Sequence, residues 1–383
     1  MAIFFTIFLL VYGSANFYVY VRAMQAFQFH SLYAKLLFSA LFILAASSYI
    51  LTKSLLSNVN SILYDAFLWI GSFWFAFLLY FILSIMIIDL SMLVHRFFPF
   101  LPQFLFQDYA KTKLLTGLGV LLLVFITVTY GYFNANNIKL KTIQLSIPKK
   151  NSSLNSLNIL YFSDAHFTPV NNGRIAKRII ELAEEVKPDI ILIGGDVIDD
   201  KSNQLKRIGI DTELRLLKAK YGVYTINGNH EFIVNVNDAD KFLNENNVKV
   251  LRDSMITIAN SVQIIGREDG SIVGFAHGKR KSVAELIAAA RKDLPIILLD
   301  HQPFHLAETA AENVDLQLSG HTHHGQMWPF NFITKMIYEL SWGYKKINNT
   351  NFYVSSGVGT WGPPVKIGSD AEVINFKISF TEN

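Results

Sequence analysis

Four long apolar stretches near the N-terminus restrict the fold of this chain more than any other feature. They run from Ile3 to Tyr20, Leu36 to Leu51, Ala66 to Ile88 and Leu114 to Phe133. A helix needs about 20 apolar residues to cross the hydrocarbon core of a bilayer. Because these runs are long and nearly free of charge, they predict a bundle of about four transmembrane helices over residues 1–133 rather than helices buried in a soluble core.

The composition changes after this apolar part. Charged residues make up only 17% of the whole chain, whereas soluble domains carry about 25%. From Lys139 onward polar and apolar residues alternate, and the run from Ile143 to Ile147 is typical of a strand. We therefore predict a linker with a strand over residues 134–156 and a soluble domain over residues 157–383.

The basic residues of the short loops predict the orientation in the membrane. Lys and Arg are enriched in cytoplasmic loops. The six that lie in or beside the three loops are Arg22, Lys35, Lys53, Arg96, Lys111 and Lys113. Since loops one and three carry most of them, we expect the N-terminus and the soluble domain outside the cytoplasm, on a bacterial-type inner membrane. The second stretch is short, and a re-entrant segment there would reverse this side.

Net charge and cysteine content exclude several classes of function. The formal net charge is +4 and the chain has no basic run, so a nucleic-acid partner is not expected. The chain has no cysteine, which excludes disulfides, thiolate metal sites and a cysteine nucleophile. Any metal ion must therefore be held by His, Asp, Glu or Asn.

Apolar strands of the soluble half end in loops that carry Asp, His or Asn. The strands are predicted at Leu157–Phe162, Ile190–Ile193, Tyr221–Ile226, Pro295–Leu299 and Leu316–Ser319. Helical patterns at Gly173–Val186 and Val283–Arg291 separate some of them, which indicates an α/β fold. Ligands bind at the carboxyl ends of strands in α/β sheets, so these loops predict a common site.

Three histidines follow the last of these strands within four positions, His321, His323 and His324. Imidazole nitrogens suit zinc, iron, manganese or nickel better than calcium. A polar loop with histidines by chance is the alternative, and it is disfavoured only if the other loops supply carboxylates. They do so through Asp164 and Asp196.

Five short motifs occur in order along the soluble half. They are Asp164-x-His166, Gly195-Asp196, Gly228-Asn229-His230-Glu231, a lone His301 and Gly320-His321-x-His323. This series resembles the pattern of the calcineurin-like metallophosphoesterase family. Gly325-Gln326 and the glycine-rich segment 355–364 resemble its membrane-tethered branch. The resemblance implies that the helical bundle is followed by a four-layer α/β/β/α sandwich.

The resemblance also implies a site for two divalent metal ions such as manganese, iron or zinc. One ion would be held by Asp164, His166 and His323, the other by Asn229, His301 and His321, and Asp196 would bridge them. His230 is not a ligand in this scheme. We interpret it as a general acid or transition-state stabiliser, with a purely orienting histidine as the alternative.

The implied reaction is the hydrolysis of a phosphodiester or pyrophosphate bond. Two cations about 3.5 to 4 Å apart need a bridging anion, and a hydroxide between them is a nucleophile for phosphorus. Some members of the wider family cleave the pyrophosphate of a nucleotide-linked acyl glucosamine, a lipid A precursor, so a lipid-linked substrate or nucleotide-sugar lipid is one option. The alternatives are a phosphomonoesterase and a non-catalytic membrane receptor that binds phosphate, and the complete ligand set argues against the receptor.

Two residues and one group of side chains lie near the motifs but outside the ligand set. We expect His324 at the surface, with a contact to the substrate as the alternative, whereas Asp300 either orients His301 or only ends its strand. The aromatic side chains after the histidines form either a lip for lipid tails or a loop packed on the sheet. They are Trp328, Phe330, Phe332, Trp342 and Trp361.

Overall fold

A computed structural model describes residues 2–56, 61–171 and 173–382. The chain divides into two compact units, Met1–Gly131 and Tyr132–Asn383. The helices that begin in the first unit are α1 Ala2–Phe27, α2 Leu32–Leu55, α3 Ile62–Phe97, α4 Phe104–Gln107 and α5 Tyr109–Asn136. Among the described residues, α1, α2, α3 and α5 are long and apolar enough to cross a membrane. This confirms the predicted set of four spans.

The second span is longer than the sequence indicated. Helix α2 continues without interruption for 24 residues, so the argument for a re-entrant segment, which rested on a short apolar run, loses its basis. Its close neighbour is α3, where Gly71 faces the backbone of Tyr49, and an added Cβ at Gly71 would lie 2.6 Å from the Tyr49 Cα. Small residues allow this close approach of helices in membranes.

Polar side chains within the first unit bind one another. The Tyr18 hydroxyl donates to the Asp89 carboxylate at 2.6 Å, and the Arg22 guanidinium pairs with the same carboxylate. Arg22 and Asp89 line a cavity of about 790 Å³ whose other walls are mainly apolar and include the aromatic residues Trp74 and Phe77. Because an unpaired charge in a bilayer is costly, the ion pair explains how α1 and α3 tolerate these residues.

The second unit begins within α5 and contains the remaining helices and all strands of the described residues. The strands are β1 Lys139–Pro148, β2 Ser156–Phe162, β3 Ile190–Ile193, β4 Val223–Thr225, β5 Val248–Val250, β6 Ser254–Ile258, β7 Val262–Gly266, β8 Ile296–Leu299, β9 Leu316–Ser319, β10 Gly343–Ile347, β11 Thr350–Val354 and β12 Glu372–Thr381. The helices are α6 Arg174–Val186, α7 Ser202–Arg207, α8 Ile210–Leu216, α9 Asn229–Val234, α10 Val236–Glu245, α11 Ile272–Phe275, α12 Val283–Ala288, α13 Leu306–Ala311 and α14 Phe330–Ile337.

Two six-stranded sheets pack face to face in this unit. Their orders are β1-β12-β2-β3-β4-β5 and β10-β11-β9-β8-β7-β6. Alternate residues of β2 point to opposite faces: Ile159 and Tyr161 enter the core between the sheets, whereas Leu160 and Phe162 face the helices α6, α8 and α10. Helix α12 covers the outer face of the second sheet. The four layers confirm the predicted α/β/β/α sandwich.

Parallel pairing brings the strand ends of the predicted site together. β2, β3 and β4 are mutually parallel neighbours in the first sheet, and β8 and β9 are parallel neighbours in the second. The loops that follow these five strands therefore leave the carboxyl edges of the two sheets, which is the arrangement that the sequence predicted.

The apolar runs Phe352–Ser355 and Val373–Phe376 near the C-terminus predict antiparallel strands that close the sheet, but the two strands observed there do not simply do so. β11 lies in the second sheet, antiparallel to β10 and parallel to β9. β12 lies in the first sheet, antiparallel to β2 and parallel to β1 over ten residue pairs. Alternation of apolar residues reveals a strand but not its partners, so this expectation was wrong about pairing.

Candidate metal centre

The first group of predicted ligands lies in the loops after β2 and β9. Asp164, His166 and His323 are buried and each offers a ligand atom within 4.8 Å of the others. The Nε2 atoms of the two histidines are 3.0 Å apart. Two imidazole nitrogens this close need a shared proton or a cation between them. Burial and the neighbouring His166 hold the pKa of His323 well below its usual value, so its ring is neutral, as a metal ligand must be.

The second group lies in the loops after β3, β8 and β9. Asp196, His301 and His321 offer ligand atoms within 4.8 Å of one another. Burial and the neighbouring His301 lower the pKa of His321 to about 4. Burial also opposes a charge on His301, but Asp196 outweighs it and raises the pKa of His301 well above its usual value. The carboxylate therefore strongly favours positive charge at this position.

Asp196 lies between the two groups. Its Oδ2 atom is 3.1 Å from Nε2 of His301 and 3.8 Å from Nε2 of His166. Its Oδ1 atom accepts a hydrogen bond of 2.8 Å from the backbone N–H of His230. One carboxylate oxygen thus faces histidines of both groups while the other oxygen is fixed by the backbone.

The backbone at these ligands is strained. Asp164, His166, Asp196, His321 and His323 all have φ between 44° and 70°. Residues other than glycine rarely adopt this left-handed backbone conformation, which costs roughly 1 kcal/mol or more for each residue. Such strain persists only where the surrounding structure holds it, and it clusters at functional sites.

Two glycines of the motifs are required by close packing at the site. Gly195 has φ 89°, and an added Cβ there would lie 2.8 Å from Nδ1 of His301. A Cβ at Gly228 would lie 2.7 Å from Nε2 of the same ring. Neither backbone segment can therefore carry a side chain without displacing His301.

His301 is oriented by a backbone carbonyl. Its Nδ1 atom lies 2.7 Å from the Gly194 oxygen, and because a carbonyl only accepts, Nδ1 carries the hydrogen and Nε2 faces Asp196. The suggestion that Asp300 orients this ring is wrong. The Asp300 carboxylate instead accepts from Arg267 at 2.9 Å and pairs with Arg280.

Orphaned polar atoms fit the donor set of a metal site. The buried Oδ1 of Asn229 and Nε2 of His301 have no hydrogen-bond partner among the described residues. Buried polar atoms are normally satisfied. Oxygen and nitrogen donors left open beside carboxylates match the ligand types of divalent transition metals.

Asp199 is a site residue that the sequence reasoning missed. Its carboxylate lies 2.8 Å from Nδ1 of His230 and 3.7 Å from Nδ1 of His166. Burial opposes a charge on His230, but Asp199 and Asp196 outweigh it and raise the pKa of His230 to about 10. In the sequence, Asp199 is recognisable only as a carboxylate three positions after Asp196, where it looks like an ordinary turn residue.

Glu231 is the second missed residue, although it stood in a recognised motif. It is fully buried, and its carboxylate accepts backbone N–H groups from Asp196, Val197, Ile198 and Gly228 at 2.7 to 3.1 Å. This side chain ties the loop after β3 to the loop after β4. It thereby positions Asp196 and Asn229 relative to each other.

The expectation that His324 lies on the surface is wrong. Its side chain is buried, its Nδ1 atom lies 3.1 Å from the Ser341 hydroxyl, and its ring packs against Trp342 with 5.3 Å between centroids. Among the described residues it joins neither ligand group. His324 therefore has a packing role at the back of the histidine loop.

The fold and this cluster define an α/β protein with groups of Asp and His side chains at its strand ends that could hold metal ions. The family model for calcineurin-like phosphoesterases matches residues 157–325. An uncharacterized metallophosphoesterase of Aquifex aeolicus is 32% identical over 57% of this chain and 83% of its own length. The chain belongs to the calcineurin-like metallophosphoesterase family.

Two further relatives extend the similarity towards the membrane part. An uncharacterized metallophosphoesterase of Campylobacter jejuni is 26% identical over 97% of both chains. A transmembrane protein with metallophosphoesterase domain from Danio rerio is 28% identical over 67% of this chain and 61% of its own length. The chain spans 60% of the length of its Helicobacter pylori relatives. With its four apolar helices, this chain is a membrane protein of the family.

Glu231→Ala is predicted to destabilise the site loops. The variant leaves four buried N–H groups without their acceptor, which should cost at least about 3 kcal/mol. Thermal unfolding of the purified full-length protein should show a clearly lower midpoint and a loss of bound metal. Glu231→Gln keeps one acceptor oxygen and should fall between. Glu245→Ala, at the surface end of α10, is the matched control, and equal melting of Glu231→Ala and this control would contradict the role.

Proposed function

We propose that this protein is a membrane-anchored, metal-dependent phosphoesterase that hydrolyses a phosphodiester or pyrophosphate bond. Residues 1–133 form the anchor, residues 134–156 the connection and residues 157–383 the catalytic domain. The observation that carries the proposal is the single Asp196 oxygen that lies within 3.8 Å of histidine nitrogens from both ligand groups. A shared carboxylate is what two neighbouring cations require.

Each ligand group would hold one divalent ion. Asp164, His166 and His323 would bind the first, and Asn229, His301 and His321 the second, with Asp196 between them. Two bound cations would acidify a water and neutralise the charge on the phosphoryl oxygens. The protein's own part is to keep the seven donors in place through strained loops and the Glu231 carboxylate.

His230 is proposed as the general acid. Its side chain is partly exposed, at 15%, and its ring lies 6.4 Å from that of the exposed Trp361. With a pKa raised to about 10 through Asp199 and Asp196 against the effect of burial, the ring is protonated at neutral pH. It is therefore equipped to give a proton to a leaving-group oxygen, while Asp199 holds Nδ1 and leaves Nε2 for the substrate.

A lipid-linked substrate, such as a nucleotide-sugar lipid, is the proposed substrate class. The anchor keeps the catalytic domain at a membrane, and Trp361 gives the site an apolar neighbour at its rim. A phosphomonoesterase is the alternative, since the same donor set serves both bond types.

Loss of the shared carboxylate or of the general acid should remove turnover. We expect manganese-loaded protein to hydrolyse bis-(p-nitrophenyl) phosphate or a nucleotide-sugar lipid. Asp196→Asn should abolish this hydrolysis, and His230→Ala should lower kcat by about 10² to 10⁴.

The matched control is His305→Asn, because this histidine is 75% exposed and its left-handed backbone suits asparagine. Wild-type rates in Asp196→Asn would show that the site is wrong. Hydrolysis of p-nitrophenyl phosphate in preference to the diester and the lipid would favour the phosphomonoesterase.

The active protein should contain two tightly held metal ions per chain. Asp164, His166 and His323 offer donors for one ion, and Asp196, His301 and His321 offer donors for another. Elemental analysis of purified active protein should therefore approach two, and His301→Ala should reduce the content towards one. A fully active preparation with a single tightly bound ion would rule out the two-metal arrangement.

The basic residues of the loops predict the side of the membrane on which the catalytic domain lies. Loops one and three carry Arg22, Lys35, Arg96, Lys111 and Lys113, and this distribution predicts that the domain lies outside the cytoplasm. A C-terminal reporter that works only in an extracytoplasmic space should be active. Activity of a cytoplasm-specific reporter in its place would reverse the orientation.

A further inference from the structure

Helix α14 presents its apolar side chains to the outside of the molecule. None of its eight residues is buried. Phe332, Ile333, Met336 and Ile337 are exposed at 54, 46, 78 and 57%. These positions are spaced so that they share one helix face, and together they form a contiguous apolar surface.

The uncharged polar residues of α14 occupy the opposite side, whereas the charged Lys335 is exposed. Asn331 and Thr334 are less exposed than their apolar neighbours, and the Oδ1 atom of Asn331 is buried. A helix of a soluble domain has its apolar face towards the core and its polar face towards water. In α14 this order is reversed, which in water would expose an apolar patch of a kind that marks an interaction site.

The surroundings of α14 indicate the chemistry of the partner. Trp328 precedes the helix and Trp342 follows it, and both are more than a third exposed. Trp and Tyr are enriched at the level of lipid headgroups. Between residues 328 and 347 three lysines, Lys335, Lys345 and Lys346, stand against a single acidic residue, Glu339, and this excess of positive charge complements anionic lipids.

We propose that α14 lies in the headgroup region of the bilayer with Phe332, Ile333, Met336 and Ile337 in contact with acyl chains. Four helices of this chain are long and apolar enough to cross a membrane, so a bilayer is a partner that the chain is already built to meet. An apolar face with flanking aromatic and basic residues is the pattern of helices that lie in the membrane plane.

The position of α14 connects the membrane surface to the metal centre. Only four residues separate the short 3₁₀ turn His323–Gly325 from the helix. At Gly325, where φ is 79°, an added Cβ would lie 2.7 Å from the Cα of Asn331. This close contact fixes the helix against the histidine loop. If the proposed phosphoesterase function is correct, a substrate held by its acyl chains could reach the site while its tails stay in the bilayer.

The absence of cysteine from the chain allows a direct test by single-site labelling. Phe332→Cys and Met336→Cys carry an environment-sensitive fluorophore in the full-length protein, reconstituted in phosphatidylcholine–phosphatidylglycerol vesicles. Leu216→Cys on α8 is the matched control, since Leu216 is 53% exposed and Phe332 is 54% exposed. We expect blue-shifted emission at positions 332 and 336, and loss of most of it when the lipids carry a nitroxide on the acyl chain.

The label at position 216 should instead be quenched by iodide in the water phase. Iodide quenching at 332 and 336 equal to that at 216 would overturn the proposal. A blue shift that nitroxide lipids do not quench would also overturn it, because protein, either this chain or a second copy, would then cover the helix. The measurement uses no turnover, so its outcome is independent of whether phosphoesterase activity is found.

Discussion

The Asp196 carboxylate lies between two groups of histidines, and much of the second unit serves to hold it there. A buried carboxylate is costly unless it is paired and hydrogen-bonded. His301 and His166 face one oxygen, the backbone N–H of His230 binds the other, and the backbone of Asp196 itself is held by Glu231. Loops from both sheets meet at this point, because the histidines follow the ends of strands in both sheets.

The location of the site could be predicted from the sequence because strand ends are visible as apolar runs that stop at polar residues. Parallel strands bring such ends together, and the ligands after β2, β3, β4, β8 and β9 follow this rule. The roles of Asp199 and Glu231 could not be predicted in this way. Asp199 is defined by its contact with His230 and Glu231 by four backbone N–H groups, and neither contact leaves a periodic pattern in the chain.

Exposure was the least predictable property near the site. We expected His324 at the surface, yet Ser341 and Trp342 contact its ring. These residues are too distant in sequence for a local pattern to reveal the contact. Helix α14 shows the opposite case. Its periodicity indicates an amphipathic helix, but which face turns inward depends on what it packs against, and the contact at Gly325 turns Asn331 inward.

The distribution of polar and apolar side chains in the first unit provides a comparison for α14. There the ion pair of Arg22 and Asp89 lies at a cavity of the helical bundle, whereas side chains such as Leu122 and Ile126 are exposed and do not line this cavity. A bilayer imposes an order in which polar groups lie inside the protein and apolar groups outside, because lipid cannot satisfy hydrogen bonds. Helix α14 has this same order, whereas α6 of the same unit, with Ile175, Ile179 and Leu182 buried, has the order that water imposes. The two patterns within one unit imply that its surface meets two different solvents.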